Sequence, residues 1–150
     1  VETYEGGSYS KEELLDFASE KIKEYNEANG TESSKEPVTL VSGSLEKGKA
    51  VLITSYDSGE SLVDFASEIG DDTMPFTEIK TGTPKELSED LKAAGVDYEA
   101  ALATGSFAVV LQGEGMVQTE ADLLDADGGC DVHDGHFIKT GSGTSVIVTK

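Results

Sequence analysis

The chain contains no arginine and no tryptophan, and only eleven of its 150 residues are basic, all of them lysine. Against thirty Asp and Glu residues, these lysines leave a formal net charge of −19 at pH 7. Proteins that bind nucleic acid or anionic membranes need a basic surface, because that surface must attract phosphate. The composition therefore excludes nucleic acid as a partner and favours cationic partners such as metal ions, amines or basic peptides.

A single cysteine, Cys130, excludes an intramolecular disulfide. No uninterrupted apolar run approaches the roughly 20 residues that a membrane-spanning helix needs, which predicts that the chain is not a transmembrane protein. Hydrophobic residues make up 37 % of the sequence, which is enough for a core in a chain of this length. We therefore expect a monomer that needs neither a disulfide nor a structural metal to fold.

Residues 1–8 are rich in glycine and polar side chains, and they predict a flexible tether ahead of a single α+β domain over residues 9–150. The sequence starts with Val1 rather than methionine. A tether before a compact acidic domain is typical of a protein that has lost a signal or lipid-anchor segment. The pattern predicts an extracytoplasmic bacterial protein, secreted or anchored at the cell surface, and the alternative is a cytoplasmic protein.

Local capping signals and apolar spacing predict three principal helices. Ser10 and Glu13 have the spacing of a capping box, in which each residue bonds the backbone of the other, and Thr83 and Glu86 repeat it. An amphipathic pattern over residues 62–69 predicts a helix between these two. The apolar face predicted for the first helix contains Leu14, Phe17, Ala18, Ile22 and Tyr25.

A mainly apolar stretch over residues 50–56 and an uninterrupted apolar stretch over residues 107–111 predict strands, and we expect both faces of the first to be covered. Residues 38–41 precede the first stretch after a short glycine-containing segment, which predicts an antiparallel hairpin. Residues 136–148 are predicted to form another hairpin, with its turn at residues 141–143.

Proline cannot donate a hydrogen bond to a strand ladder, so the stretch around Pro75, over residues 73–80, is predicted as an edge strand. Most neighbouring strands are joined by connections too short for a parallel crossover. The predicted fold class is therefore α+β: a mainly antiparallel sheet with about three helices packed on one face.

Residues 43–50 reproduce the glycine and lysine spacing of a phosphate-binding P-loop. However, Ala50 stands where a Ser or Thr should hold magnesium. A P-loop also leads from a strand into a helix whose N-terminus binds the phosphate, whereas Lys49 is followed by a predicted strand. We therefore interpret this stretch as a hairpin turn rather than a nucleotide site.

The stretch 120–136, predicted as an acidic loop, concentrates the residue types that bind metals. The candidate ligands are Asp125, Asp127, Cys130, Asp131, His133 and His136. Alternating aspartates suit calcium, although the spacing departs from the EF-hand pattern. Cysteine and histidines at i, i+3 and i+6 suit zinc. The alternative is a solvated acidic loop, and the sequence leaves both interpretations open.

Catalytic motifs have little support in the sequence. No Gly-x-Ser-x-Gly elbow occurs, and the aspartates around Cys130 oppose formation of a reactive thiolate. We assign no catalytic or cofactor-binding residue and expect no cofactor other than a zinc or calcium ion. The sequence favours a non-enzymatic domain that binds a protein or small-molecule partner through the 120–136 loop. The alternative is a small metal-dependent enzyme or metal-binding protein that uses the same loop.

Overall fold

The computed structural model describes the backbone of residues 2–5 and the whole of residues 9–150. Helices account for about 30 % and strands for 34 % of the chain, and the strands form antiparallel sheets, which confirms the α+β class. The structure divides into two compact units, Val1–Ile69 (unit 1) and Gly70–Lys150 (unit 2), and the single domain over residues 9–150 stays a prediction. Each unit is described by itself.

Unit 1 contains one sheet and two helices. Its elements are β1 (Glu2–Glu5), α1 (Lys11–Asn29), β2 (Val38–Glu46), β3 (Lys49–Tyr56) and α2 (Gly59–Glu68). The strand order is β1-β3-β2, and both pairs are antiparallel. The segment predicted as a flexible tether contains β1, which pairs with β3 along its whole length. Val1 and residues 6–8 of that segment lie outside the described residues.

The hairpin of β2 and β3 confirms the interpretation of the P-loop-like stretch as a turn. Lys47 and Gly48 link the strands with φ values of 51° and 76°, the two left-handed residues of a type I′ turn. Strand β3 is central in the sheet, as predicted. Only one of its faces is well covered, however, because Ala50 and Leu52 are buried while Ile53 is 38 % exposed.

Helix α1 begins with the predicted capping box. The Glu13 N–H donates to Ser10 Oγ at 3.2 Å, and the Ser10 N–H donates to the Glu13 carboxylate at 2.9 Å. Ile22 and Tyr25 are buried in a cluster with side chains of β2 and α2. Phe17, predicted on the same face, is 60 % exposed, so that prediction was wrong. At 100° per residue, Phe17 lies roughly 140° around the helix from Ile22.

Unit 2 contains two helices and two sheets. Its elements are β4 (Glu78–Gly82), α3 (Ser88–Ala94), α4 (Tyr98–Thr104), β5 (Phe107–Gln112), β6 (Met116–Gln118), β7 (Leu123–Asp127), β8 (Asp131–His133), β9 (Phe137–Lys139) and β10 (Thr144–Thr149). The large sheet has the order β4-β5-β10-β7, and the small sheet has the order β6-β9-β8. Side chains of α3 and α4 pack with β5 and β10 in the core of unit 2.

The strand pairing of unit 2 corrects one prediction and confirms another. Residues 136–148 do not form a hairpin, because β9 belongs to the small sheet while β10 lies between β5 and β7 in the large sheet. Strand β4 is an edge strand, as predicted, but it begins at Glu78, three residues after Pro75.

The predicted capping box at Thr83 forms, with the Thr83 N–H donating to the Glu86 carboxylate at 2.7 Å, but it does not cap α3, whose N-cap is Leu87, so the predicted start of this helix was wrong. Hydrogen bonds from Thr83 hold the pKa of Glu86 below its usual value. A turn then leads into α3, which begins at Ser88. Among the described residues, no helix combines the length and the apolar composition needed to cross a membrane.

Candidate functional site

The segment 120–136 does not form the single long loop predicted from the sequence. It contains β7, an edge of the large sheet, and β8, an edge of the small sheet. Leu124 packs against the core of unit 2, which explains why β7 pairs despite its aspartates. Gly128 and Gly129 then redirect the chain from one sheet to the other, with φ values of 90° and 85°.

Three of the predicted metal ligands lie on β7 and the turn after it. Asp125 and Asp127 are two residues apart and so project to one face of the strand. Each carboxylate accepts a hydrogen bond from the N–H of the residue that follows it, at 2.9 Å and 2.7 Å respectively. The Cys130 thiol, half-buried, donates to the backbone carbonyl of Asp127 at 3.2 Å. These bonds stabilise the turn between the sheets.

The other three predicted ligands belong to β8 and the turn that follows it. His133 Nε2 lies 3.3 Å from an Asp131 carboxylate oxygen, and both side chains are exposed. His136 occupies the turn between β8 and β9, where its N–H donates to the His133 carbonyl at 3.3 Å. Over residues 9–150, no three His, Cys, Asp or Glu side chains are arranged to hold a metal ion. A zinc or calcium site in this segment stays a prediction.

The turn between β8 and β9 carries a signal that is visible in the sequence. Asp134 and Gly135 have φ values of 55° and 72°, which makes this a type I′ turn. Asp-Gly is among the dipeptides that such hairpin turns favour. The pair therefore could have predicted the β8–β9 hairpin directly from the sequence.

The small sheet presents an exposed face, which we call the outer face. In its register, Met116 and Asp131 flank Lys139, and Gln118 and His133 flank Phe137, so all six side chains project to the same side. The opposite face has Ile138 at its centre, completely buried, although Val132 on its edge strand is 40 % exposed. Met116 is 61 % exposed and Phe137 is 41 % exposed. Two large apolar side chains on one small surface are typical of an interaction site.

Acidic residues dominate the stretch of chain that contains the small sheet. Residues 114–139 contain seven Asp or Glu residues and a single lysine, Lys139. Lys139 lies on the central strand, directly opposite Asp131 in the β8–β9 register. The outer face therefore combines two exposed apolar side chains, Met116 and Phe137, with the charged residues Lys139 and Asp131.

A second polar cluster lies in unit 1, where β3 leads into α2. Asp57 accepts hydrogen bonds from the hydroxyls of Ser34 and Ser61, and these bonds hold the pKa of Asp57 below its usual value. Nearby, the Tyr25 hydroxyl donates to an Asp64 carboxylate oxygen at 2.8 Å. Burial, and then this bond, raises the pKa of Tyr25 to about 12.

This serine–aspartate cluster includes the N-cap of α2. Ser58 Oγ accepts the Ser61 N–H at the start of α2, so the hydroxyls serve the helix terminus. Both histidines of the chain lie in residues 70–150, so unit 1 supplies no imidazole to deprotonate a serine.

No protein-family model, curated protein or solved structure matches the chain. The location outside the cytoplasm stays a prediction from composition. Function must therefore be argued from the chemistry of the chain's own surfaces, and in unit 2 the outer face of the small sheet is the surface with the clearest chemical character.

Proposed function

We propose that the chain is a non-enzymatic binding domain and that the outer face of the small sheet contacts its partner. The partner is a protein surface that carries an apolar side chain among basic groups. The observation that supports this proposal is the exposure of Met116 and Phe137 together on one paired sheet, in a strongly acidic stretch of the chain.

Burial of these two side chains against a partner would contribute favourable free energy to binding. Removing a Met or Phe side chain from water is worth roughly 1.5–3 kcal/mol, and strand pairing already restricts the backbone that carries them. The six residues of the outer face form a small contact area, so the expected complex is weak and transient. The negative charge accelerates encounter with a basic partner and makes that rate depend on salt.

The test uses a synthetic peptide of alternating lysine and leucine as the probe, titrated into the isotope-labelled chain and followed by backbone amide shifts. We expect saturable shifts in β6, β8 and β9. The double variant Met116→Ser/Phe137→Ser should weaken binding at least about tenfold, since a loss of roughly 1.4 kcal/mol corresponds to a factor of ten.

The matched control is Leu102→Ser, which removes an exposed apolar side chain from α4 instead. It preserves the net charge and should leave the peptide affinity within about twofold, because nonspecific attraction by the acidic chain is unchanged. If both variants weaken peptide binding equally, or if the amide shifts are spread evenly over unit 2, the peptide binds only through the net charge of the chain.

A further inference from the structure

Three dipeptides of the chain join an asparagine or aspartate to a glycine, and each is a candidate for spontaneous modification. They are Asn29–Gly30, Asp127–Gly128 and Asp134–Gly135. In such a pair the backbone nitrogen of the glycine can attack the carbonyl carbon of the preceding side chain, because glycine has no Cβ to hinder the approach. The surroundings of each pair in the fold decide whether this attack can occur.

The Asn29–Gly30 pair at the end of α1 is held by hydrogen bonds to the helix. Asn29 Nδ2 donates to the Tyr25 carbonyl at 3.0 Å, and the Gly30 N–H donates to the Asn26 carbonyl at 2.8 Å. A Cβ added at Gly30 would lie 2.7 Å from two backbone oxygens, so the backbone is closely packed there. Both the attacking nitrogen and the side chain under attack are therefore restrained.

The Asp127–Gly128 pair at the end of β7 is held by the large sheet. Asp127 pairs with Val146 of β10, and a Cβ added at Gly128 would lie 2.1 Å from the Thr144 backbone oxygen. The Gly128 N–H donates to Asp127 Oδ1 at 2.7 Å, so the nitrogen directs its hydrogen at the carboxylate rather than its π electrons at the carbon. Rotation of this peptide group into an attacking orientation is opposed by β10.

The Asp134–Gly135 pair has neither kind of restraint. Both residues are exposed in the turn between β8 and β9, and a Cβ added at Gly135 would meet no atom within 4 Å. Within the described part of the chain, neither the Asp134 carboxylate nor the Gly135 N–H forms a hydrogen bond. The peptide group between them can therefore rotate without breaking a contact.

We propose that Asp134 is a site of spontaneous isomerisation to isoaspartate. The Gly135 nitrogen bonds to Cγ of the protonated Asp134 carboxyl, whose hydroxyl leaves as water together with the proton of that nitrogen, and a succinimide ring closes. Water then opens the ring. Cleavage of the new N–Cγ bond restores aspartate, whereas cleavage of the original peptide bond leaves isoaspartate, whose main chain runs through Cβ and Cγ. The sequence consumes no oxidant, reductant or cofactor.

Isomerisation at Asp134 changes the hairpin of β8 and β9. The main chain of isoaspartate is one carbon longer, so the turn that sets His133 opposite Phe137 cannot keep its geometry. The alignment of these strands depends on that turn. The modification therefore reaches the outer face, although its chemistry does not depend on whether that face binds a partner.

The experiment incubates the folded chain at mildly acidic pH, where part of the carboxyl population is protonated, and locates isoaspartate by peptide mass spectrometry. We expect Asp134 to isomerise at least about tenfold faster than Asp127, which corresponds to a barrier difference of about 1.4 kcal/mol. New amide resonances should appear in β8 and β9 at the same rate. In urea the two aspartates should react at similar rates, because the restraint on Asp127 is lost, and Asn29 should deamidate readily.

Two matched glycine variants test the role of the Gly135 nitrogen. Gly135→Ala places a Cβ beside that nitrogen and should slow isomerisation several-fold. Gly129→Ala is the control and should leave the rate unchanged, because Gly129 has the same left-handed φ and open surroundings but follows a glycine. Equal rates at Asp134 and Asp127 in the folded chain, or equal rates in the two variants, would overturn the proposal. Neither outcome involves a partner, so the proposed function is tested independently.

Discussion

Two buried hydroxyls of unit 2, those of Thr140 and Ser145, illustrate how differently the same group can be placed. Thr140 Oγ1 donates to the Gly113 carbonyl at 2.7 Å and accepts the Gly115 N–H at 2.9 Å. It thereby ties the connection after β9 to the connection after β5. Ser145 Oγ is equally buried, yet it has no hydrogen-bond partner among the described residues.

These environments predict opposite responses to removal of the hydroxyl. Thr140→Val should lower the free energy of unfolding by about 2 kcal/mol, because it leaves the Gly115 N–H without its acceptor. Ser145→Ala should change stability by less than about 0.5 kcal/mol or increase it, since a buried unpaired hydroxyl is itself unfavourable.

Urea unfolding of both variants measures the difference. Thr140→Ser is the control, because it keeps the hydroxyl and should retain most of the stability. A Ser145→Ala variant that loses as much stability as Thr140→Val would mean that Ser145 has a partner in solution. No sequence signal distinguished these two residues, since each depends on groups brought close by the pairing of distant strands.

At the scale of single elements, the turn from β7 to β8 depends on two consecutive glycines with different surroundings. A Cβ added at Gly128 would lie 2.1 Å from the backbone oxygen of Thr144, whereas one added at Gly129 would meet no atom within 4 Å. Both residues have left-handed φ, which is an unfavourable backbone conformation for any residue with a side chain.

Gly129→Ala should therefore cost about 1–2 kcal/mol, the penalty of the left-handed conformation alone. Gly128→Ala should cost distinctly more, because the new methyl overlaps backbone that cannot move without disturbing β10. Thermal or urea unfolding of the two variants provides the comparison. Equal costs would show that the turn relaxes freely and does not fix the exit from β7.

Elements defined by neighbouring residues were predictable from the sequence, and long-range pairings were not. The capping boxes at Ser10 and Thr83, together with the β2–β3 hairpin, follow from spacing within a few residues. Strand β7 was missed because Asp125 and Asp127 resemble loop residues, although they alternate with Leu124 and Ala126. Its pairing depends on β10, about twenty residues later, which no local pattern encodes.

The candidate site also depends partly on local sequence and partly on long-range strand pairing. The sequence singled out residues 120–136 as a metal-binding candidate, which stays a prediction, and β8 places Asp131 and His133 on the outer face. Met116 and Phe137 were missed, because only the register of three strands brings them onto one surface. The exposure of an apolar residue in a strand depends on what covers that face, and this is a tertiary property.

At the scale of the whole molecule, negative charge exceeds what the lysines can neutralise. Lys80 illustrates the balance: its ammonium lies 3.2 Å from both Glu78 and Asp90, and these bonds raise its pKa. One cation shared by two carboxylates still leaves a negative group. Repulsion among the unpaired carboxylates therefore opposes folding.

Salt should stabilise this chain. Raising NaCl from 0.01 M to 1 M shortens the screening length from about 30 Å to about 3 Å, which removes most of the repulsion. We expect the midpoint of thermal unfolding to rise by several degrees. The control is the same titration at the isoelectric point of the sequence, pI ≈ 4.2, where the net charge is near zero and the response should be small. A midpoint that falls with salt would show that ion pairs such as Lys80–Asp90 outweigh the repulsion.

The position of β10 in the sheet affects how unit 2 folds during synthesis on the ribosome. β10 lies between β5 and β7. The large sheet therefore lacks this inner strand until residues 144–149 have been synthesised and have left the exit tunnel. Until then β5 and β7 have no common neighbour, and their apolar residues remain accessible to chaperones. Unit 2 therefore completes its fold only after those residues emerge, whereas unit 1 can assemble its own sheet while translation continues.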